Sequence, residues 1–302
     1  MTTTEKKPWH GVYVATALAF TDDLEVDHDA YADHVRWLAE NGLHGVTPNG
    51  SLGEYQTLTP EERARVVETA VAAAPDGFGV MPGVAAYGAR ETCRWVDHAA
   101  QAGAASVLML PPNAYRADRA TVVEHYREAA KVGLPIVAYN NPFDTKVDLT
   151  PGLLAELHAE GLIVAVKEFT GDPRRAYEIR ELAPELDLLV GTDDVLVELG
   201  LAGAVGWIAG YPNALPAASL ELYELATSGD VADLEKALPL YRDLHSLLRW
   251  DSRTEFVQAI KLSMDVVGRR GGPCRPPRLA LPEDTRAEIV RATEAALALG
   301  YR

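Results

Sequence analysis

The chain has 302 residues, 48% hydrophobic and 24% charged, which is the composition of an ordinary globular protein with ample length for a large core. Its formal net charge of -16 argues against nucleic acids and anionic membranes as partners, because both bind patches of Lys and Arg. The charge does not exclude a small anionic ligand, since local dipoles decide how such a ligand binds.

The two cysteines and the N-terminus point to a cytoplasmic protein. Cys93 and Cys274 form no C-x-x-C pair, so neither a disulfide framework nor a cysteine zinc site is indicated. The opening "MTTTEKKPWHG" is polar and lacks the apolar stretch of a signal peptide. No apolar run is long enough to predict a transmembrane helix.

Eight short apolar segments predict β-strands. Most of them are continuous apolar runs, which is the pattern of strands covered on both faces. Their ranges are 11–20, 45–50, 79–84, 106–112, 135–142, 163–170, 186–194 and 204–213.

Amphipathic helical patterns fill the intervals between these segments. The first places Tyr31, Val35 and Leu38 on one face, and the second begins with Thr59 as N-cap and Pro60 at the first helical position. Each strand and helix together take about 25 to 35 residues, which is one βα unit. Eight such units predict an α/β fold, the (β/α)8 TIM barrel. The alternative is a doubly wound open sheet, but the G-x-G-x-x-G turn expected after its first strand is absent.

Strand patterns end near residue 216, and four helical stretches follow. We expect the first to close the barrel and the other three to form a C-terminal helical extension. The predicted organisation is therefore a barrel with the active site over residues 1–228 and an extension over residues 229–302.

A lysine interrupts the sixth apolar segment, "IVAVKEFTGD". Lys167 stands near the carboxyl end of this strand, where TIM barrels carry their active sites. The fifth segment, "PIVAY", has the same length as "IVAVK", so Tyr139 and Lys167 are predicted at matching depth on adjacent strands. Small Ala165 lies beneath Lys167 on the same face and leaves room for a long side chain.

A buried lysine has chemistry that an exposed one lacks. Desolvation lowers the pKa of a lysine from its free value of about 10.4, and the neutral amine attacks carbonyls to form a Schiff base. The iminium then stabilises a carbanion at the adjacent carbon. A tyrosine at the same depth is a competent proton-transfer group. The alternative is a structural lysine that extends outward or pairs with Glu168, which is a poor partner because adjacent strand residues face opposite sides.

The loop "NGSLGE" after the second segment is a candidate anion site. Gly50 and Gly53 permit a turn that directs backbone N–H groups inward, as in nests for carboxylate or phosphate. Ser51 adds a hydroxyl that can contact a ligand or relay a proton to Tyr139. The alternative is a plain turn that leads to the helix capped by Thr59.

Taken together, these motifs resemble the dihydrodipicolinate synthase / N-acetylneuraminate lyase family. The resemblance covers the barrel and reaches into the helical tail. It rests on "GSLGE" (50–54), "YNNP" (139–142), "KEFTGD" (167–172), "GTDD" (191–194) and "GWIAG" (206–210), in this order.

The resemblance implies a Schiff-base lyase or aldolase of class I. It implies Lys167 as the Schiff-base lysine, Tyr139 as the proton-transfer residue and Ser51 as its partner. The N–H groups of the Gly50–Ser51–Leu52 loop would hold the carboxylate of pyruvate or another 2-oxo acid, and Ile208 would line the pocket. The resemblance also implies a homotetramer and no metal or organic cofactor.

Two positions depart from the family's synthases. Where the synthases have a relay tyrosine after segment four, the aligned residue is Ala114, and Tyr115 follows it. Where they have an arginine that binds the carboxylate of the second substrate, this chain has Asp144, with Lys146 nearby. The carboxylate of Asp144 repels the substrate carboxylate that an arginine would bind.

Other candidate residues have simpler interpretations. One interpretation of Asp193 and Asp194 is a carboxylate pair for acid/base work, but they directly precede a helical stretch, so helix capping and dipole compensation are expected of them. No histidine spacing indicates a metal site, and His34 and His98 are expected at the surface or its boundary. Trp207 is expected to be an apolar filler.

The functional hypothesis is a lyase, aldolase or dehydratase acting on pyruvate or a related 2-oxo acid. Two alternatives remain: 4-hydroxy-tetrahydrodipicolinate synthase proper, and a barrel that binds a keto acid or sugar acid without turnover. The set of Lys167, Tyr139 and Ser51 favours an enzyme, because simple binding does not need a nucleophile.

Overall fold

The computed structural model describes residues 7–112 and 116–302. The strands of the described chain are β1 (Gly11–Ala15), β2 (Gly45–Thr47), β3 (Gly79–Val80), β4 (Val107–Met109), β5 (Ile136–Asn140), β6 (Ala165–Glu168), β7 (Asp187–Val190) and β8 (Gly206–Ala209). The helices are α1 (His28–Glu40), α2 (Pro60–Ala73), α3 (Ala89–Ala102), α4 (Arg119–Ala130), α5 (Pro142–Thr145), α6 (Pro151–Ala159), α7 (Pro173–Leu182), α8 (Leu196–Leu201), α9 (Pro216–Thr227), α10 (Val231–Leu248), α11 (Phe256–Val266) and α12 (Glu283–Ala298).

The eight strands form one parallel sheet in the order β3-β2-β1-β8-β7-β6-β5-β4. A parallel bridge between Gly83 and Leu108 joins the two outer strands. There the N–H of Val84 donates to the Leu108 carbonyl at 3.0 Å, and the N–H of Leu108 donates to the Pro82 carbonyl at 2.9 Å. The sheet therefore curls into the predicted TIM barrel, and the open doubly wound alternative is wrong.

Each strand lies within its predicted segment but is shorter. Segment 45–50 yields only β2, because Pro48 cannot donate a ladder hydrogen bond and Asn49 adopts the left-handed conformation with φ 56°. Most of the remaining residues of the segments follow the strands and form the connections at their carboxyl ends. The predicted helix starts also hold: Thr59 caps α2 in a capping box with Glu62.

Alternation along the strands separates an inner core from an outer core. The inner cluster fills the barrel and includes Tyr13, Val137, Ala165, Leu189 and Ile208. The outer cluster lies between the sheet and the helices, and it also contains residues of the C-terminal helices such as Leu244, Ile260 and Ile289. Lys167 follows Ala165 on the inner face, so its side chain stands on top of the inner core.

Helices α10 to α12 form the predicted extension. The proposed boundary at residue 228 lies between α9 and α10, and the outer core continues across it without a break. The extension is therefore packed on the barrel through a shared core. Within residues 7–112 and 116–302, no helix combines the length and the apolar character that crossing a bilayer requires.

Candidate active site

A cavity of about 870 Å³ opens at the carboxyl ends of the strands. All of the residues to which the sequence assigned a role in the site line this cavity, and they come from four elements of the barrel. They are Gly50, Ser51 and Leu52 after β2, Tyr139 on β5, Lys167 on β6 and Ile208 on β8.

Lys167 and Tyr139 are register partners on β5 and β6, as the equal length of their segments predicts. The Lys167 Nζ atom lies 4.3 Å from the centre of the Tyr139 ring and 5.6 Å from the centre of the Phe169 ring. In the described part of the chain this amine makes no hydrogen bond and no ion pair. Glu168 does not approach it, because its carboxylate binds Asn140, Thr170 and Arg175 on the outer side of the barrel.

Burial lowers the pKa of Lys167 from 10.5 to about 8. Desolvation is the main cause, and the carboxyl groups of Asp251 and Asp193 oppose it. At neutral pH about one amine in ten is then uncharged, against about one in a few thousand for a free lysine. The cavity therefore holds a lysine with a sizeable nucleophilic fraction.

The Tyr139 hydroxyl lies in a chain of polar groups at the cavity wall. It accepts a hydrogen bond of 3.3 Å from Asn141 Nδ2, and the same amide donates to Asp144 Oδ2 at 2.9 Å. Burial raises the pKa of Tyr139 well above 10, so the phenol is protonated at neutral pH. A protonated phenol beside the lysine can donate a proton to a reacting atom and later recover it.

The loop after β2 forms a tight turn in which the N–H of Gly53 donates to the Gly50 carbonyl and that of Glu54 donates to Ser51, both at 3.1 Å. Among the described residues, the N–H groups of Ser51 and Leu52 have no acceptor. The carbonyl of Asn49 faces Gly83, where a Cβ atom would stand 2.4 Å from the oxygen. Because Gly83 has no side chain, the loop can pack closely on the barrel. The N–H groups of Ser51 and Leu52 remain available to an anion.

The predicted link between Ser51 and Tyr139 is not formed in this structure. Ser51 lines the cavity, but within the described chain its hydroxyl donates to no other residue, and Asn141 occupies the bonding position on Tyr139 instead. Asn141, which lies in the "YNNP" motif, is the hydrogen-bond partner of Tyr139, and no role was predicted for it from the sequence.

Two buried carboxyl groups behind Lys167 were not assigned to the site from the sequence. Asp193 is not a capping residue: it begins a short 3-10 helix, Asp193–Val195, whose N-cap is Thr192. Asp193 and Asp194 do lie in the first turn of this helix, but Asp193 is fully buried and its carboxyl group crosses to the end of β8. Asp251, between α10 and α11, is 8% exposed and lines the cavity.

Asp144 lines the cavity near Tyr139, and Lys146 follows it in the left-handed conformation. The Lys146 amine donates to the Phe143 carbonyl and forms no ion pair with Asp144 within the described residues. Lys146 therefore does not compensate for the charge of Asp144 in this structure. Ala114 and Tyr115, the other departure from the synthases, lie outside the described residues.

The expectation for His34 is wrong, that for His98 holds, and that for Trp207 holds in part. His34 is buried and its Nε2 atom bonds Asn213 at 2.9 Å, because α1 turns this position toward the end of the barrel. Burial lowers the pKa of His34 to about 4. His98 is half-buried at the boundary. Trp207 is a fully buried filler, but it also donates to Asp193 Oδ1 at 3.0 Å.

The whole chain matches a known family. The profile of the Dihydrodipicolinate synthetase family aligns with residues 8–296. The chain belongs to this family. A protein of Halobacterium salinarum described as an uncharacterized DapA-like lyase is 34% identical over 284 residues, which are 93% of this chain and 91% of that protein. A 4-hydroxy-tetrahydrodipicolinate synthase of Methanothrix thermoacetophila is 30% identical, over 93% of this chain and 95% of the synthase.

Solved structures of the dihydrodipicolinate synthetase family have the same architecture. The E. coli K12 prophage protein YagE, of the dihydrodipicolinic acid synthase family and solved in complex with pyruvate, superposes with a TM-score of 0.87 at 27% identity. The match covers 97% of this chain and 99% of that one. The resemblance noted from the sequence is confirmed, and the chain is a lyase of this family.

Proposed function

We propose that this lyase forms a Schiff base between Lys167 and pyruvate or a related 2-oxo acid. One observation carries the proposal: the Lys167 amine is buried beside the Tyr139 ring, at 4.3 Å from its centre, without any ion pair in the described chain. A lysine in that position is costly for folding. The nucleophilicity of a buried, partly uncharged amine explains why a lysine occupies this position.

The first half of the reaction follows from the residues around the cavity. The uncharged Lys167 amine adds to the 2-oxo carbon, and the resulting carbinolamine loses water to give an iminium. The N–H groups of Ser51 and Leu52 hold the carboxylate of the oxo acid, since they have no protein acceptor in the described chain and line the same cavity. The apolar side chain of Ile208 forms part of the wall against which the rest of the acid packs.

The second half requires a proton to move at the carbon next to the iminium. Loss of that proton gives an enamine, which can add to an acceptor, or the iminium can accept the electrons of a breaking bond. Tyr139 is the proton-transfer group within the same cavity, held by Asn141. This chemistry needs no metal or organic cofactor.

The two alternatives make different demands on the site. A barrel that only binds an acid needs the N–H groups of the loop but no buried amine. A dihydrodipicolinate synthase in the lysine pathway must bind the carboxylate of aspartate semialdehyde, and Asp144 presents a negative charge at the cavity wall. We therefore favour a lyase with another second substrate.

Borohydride trapping tests the proposal directly. The protein is incubated with pyruvate, reduced with borohydride, digested and mapped by mass spectrometry. We expect one reduced pyruvate adduct, on Lys167. Lys167→Ala should lose it and stay folded. Lys146→Ala is the matched control, because Lys146 lines the same cavity but is exposed. An adduct on other lysines alone, or none with any 2-oxo acid, contradicts the proposal.

The assembly and location of the protein are part of the same proposal. We propose a homotetramer, as the family resemblance implies, and a cytoplasmic location, which the free thiols of Cys93 and Cys274 support. Light scattering after gel filtration measures the mass of the assembly, and cell fractionation measures the location. A monomer would leave the site of each chain complete, since all of the residues assigned above lie on one chain.

A further inference from the structure

We propose that Asp251, supplied by the C-terminal extension, transfers a proton between Lys167 and the oxygen that leaves the substrate during imine formation. The inference rests on the proposed Schiff base and adds a residue to it. It gives the helical extension a direct part in the chemistry of the barrel.

The position of Asp251 is the first observation. It lies in the turn after α10, where its N–H donates to the Leu248 carbonyl at 3.1 Å. Its carboxyl group lines the cavity, and Oδ2 accepts from the N–H of Asp193 at the end of β7, at 3.4 Å. The carboxyl therefore enters the barrel mouth above β7 and β8, on the side of the cavity that Lys167 faces.

Gly210 makes room for this carboxyl group. A Cβ atom at Gly210 would stand 2.6 Å from Asp251 Oδ1 and 3.4 Å from Asp193 Oδ2. Both carboxyl groups thus flank the backbone just after β8, and any larger residue at Gly210 would push Asp251 away. The close approach accounts for the glycine in "GWIAG".

The two carboxyl groups are held in very different ways. Asp193 is fully buried and accepts from Trp207 Nε1 and from the N–H groups of Gly210 and Tyr211, at 2.8 to 3.2 Å. These fixed donors hold the Asp193 carboxyl group in place, while burial raises its pKa well above the usual range. In the described chain the Asp251 carboxyl group accepts one hydrogen bond, from the N–H of Asp193 at 3.4 Å, and Asp251 lines the cavity. Asp251 is the member of the pair that is free to exchange protons with a bound ligand.

The charges around Asp251 suit this role. Desolvation raises the pKa of Asp251 to about 6, and Lys167 opposes the rise. The other ionisable groups that face it are Asp193 and Asp194 after β7, Tyr139 on β5 and Tyr211 after β8. Lys167 attracts these carboxyl groups, but the attraction is smaller than the desolvation that lowers its own pKa. Asp251 and Lys167 form no direct hydrogen bond or ion pair, so a proton passes between them through a bridging water molecule.

The proposed step balances in atoms and charge. A bridging water molecule carries a proton from the Lys167 ammonium to the Asp251 carboxylate, and the lysine becomes an amine. The amine adds to the carbonyl carbon, a proton passes from the nitrogen to the former carbonyl oxygen, and the carbinolamine forms. Asp251 then returns the proton to the hydroxyl oxygen, the C–O bond breaks and water leaves. The positive charge stays on nitrogen as the iminium, and the Asp251 carboxylate is again its counter-ion.

The test is the rate of trapping by borohydride as a function of pH, between about pH 5 and pH 9. In Asp251→Asn, which keeps the shape, we expect the maximal rate to fall about a hundredfold or more. We also expect the midpoint of the profile to move to lower pH, because the carboxylate that favours the ammonium is gone. Asp284→Asn, an exposed position on α12, makes the same charge change and should leave both values at the parental level.

A second variant separates proton transfer from packing. Asp251→Ala opens space for formate, and added formate should restore a large part of the lost rate. An unchanged rate and midpoint in Asp251→Asn overturn the proposal. So does a reduced rate with an unchanged midpoint and no rescue by formate, which would assign Asp251 a packing role. If the parent protein itself forms no adduct, the Schiff-base function fails and this step with it.

Discussion

Lys261 on α11 and Glu54 in the loop after β2 form an ion pair of 3.1 Å, and both side chains are almost completely buried. The Lys261 amine also donates to the carbonyls of Leu18 and Pro273, and Glu54 accepts from the N–H of Arg275 at 3.0 Å. Glu54 ends the "GSLGE" loop. The C-terminal extension therefore fixes the turn of the barrel that we propose binds the substrate carboxylate.

Loss of Lys261 should destabilise the protein strongly. Lys261→Met leaves the Glu54 carboxylate buried without its cation, which costs about 3–5 kcal/mol. Chemical unfolding measures the loss, and the apparent affinity for pyruvate should weaken as the turn loosens. The control is Lys236→Met, which removes an exposed pair with Asp233 that solvent screens, so the stability should stay near that of the parent. Equal effects of the two changes would contradict the role given to Lys261.

Replacement of Lys167 should stabilise the protein near neutral pH. Below pH 8 this lysine is charged in the folded and the unfolded chain, and the folded chain carries the full cost of burying the charge. Between pH 8 and 10.5 the folded chain loses its proton first, so the stability of the parent rises with pH across this window. Lys167→Met removes the cost and should add about 1–3 kcal/mol at pH 7.

The measurement is the thermal midpoint of both proteins at pH 7 and above pH 10, where the difference between them should shrink. Lys146→Met is the control at an exposed position of the same cavity. A Lys167→Met variant that is less stable than the parent at pH 7 would mean that the amine is well paired in the folded protein. A gain in stability with a loss of activity is what a reactive buried group predicts.

Tyr139→Phe should separate proton transfer from imine formation. The ring still packs against Lys167 and Phe169, so the adduct with pyruvate should form. Exchange of the pyruvate methyl protons with deuterated water, followed by NMR, should slow by about two to four orders of magnitude. Tyr177→Phe, at an exposed position on α7, is the control. An exchange rate within a few-fold of the parent would make Tyr139 a packing residue.

The sequence predicted most of the positions in the barrel, because the relevant information is local. Equal strand lengths placed Tyr139 and Lys167 at one depth, and the register confirms it. The Gly-rich loop was also found from its residue types. Asp251 escaped prediction because its contact with Asp193 depends on how α10 and α11 pack on the barrel. Its only local signal was the polar break "WDSRTE" between two helices.

The orientation of side chains was the second feature that could not be predicted from the sequence. The sequence analysis predicted Ser51 as the partner of Tyr139 and gave Asn141 no role, whereas the structure has the bond from Asn141. His34 was placed at the surface because α1 is amphipathic, but the helix turns this residue toward Asn213. Such choices depend on rotamers and on helix rotation, which periodicity alone does not fix.

The last prediction is that this lyase is an inefficient 4-hydroxy-tetrahydrodipicolinate synthase. Aspartate semialdehyde carries a carboxylate, which an arginine binds with two hydrogen bonds. Asp144 lines the cavity instead, held by Asn141 and without an ion pair in the described chain, so it repels that carboxylate. This chain has Ala114 where the synthases have a relay tyrosine, so proton transfer by that tyrosine is also missing. Each defect should cost about a hundredfold in turnover efficiency.

A coupled assay with pyruvate, aspartate semialdehyde and dihydrodipicolinate reductase measures this activity. Asp144→Asn removes the repulsion and should raise the efficiency with aspartate semialdehyde, while trapping of pyruvate on Lys167 stays at the parental level. Asp148→Asn, at a carboxylate paired with Arg175 away from the cavity, is the control. Turnover by the parent in the ordinary enzyme range would show that another cation replaces the arginine. Negligible turnover together with trapping on Lys167 would mean that the chain performs the first half-reaction and then uses a different acceptor, one without a carboxylate near Asp144.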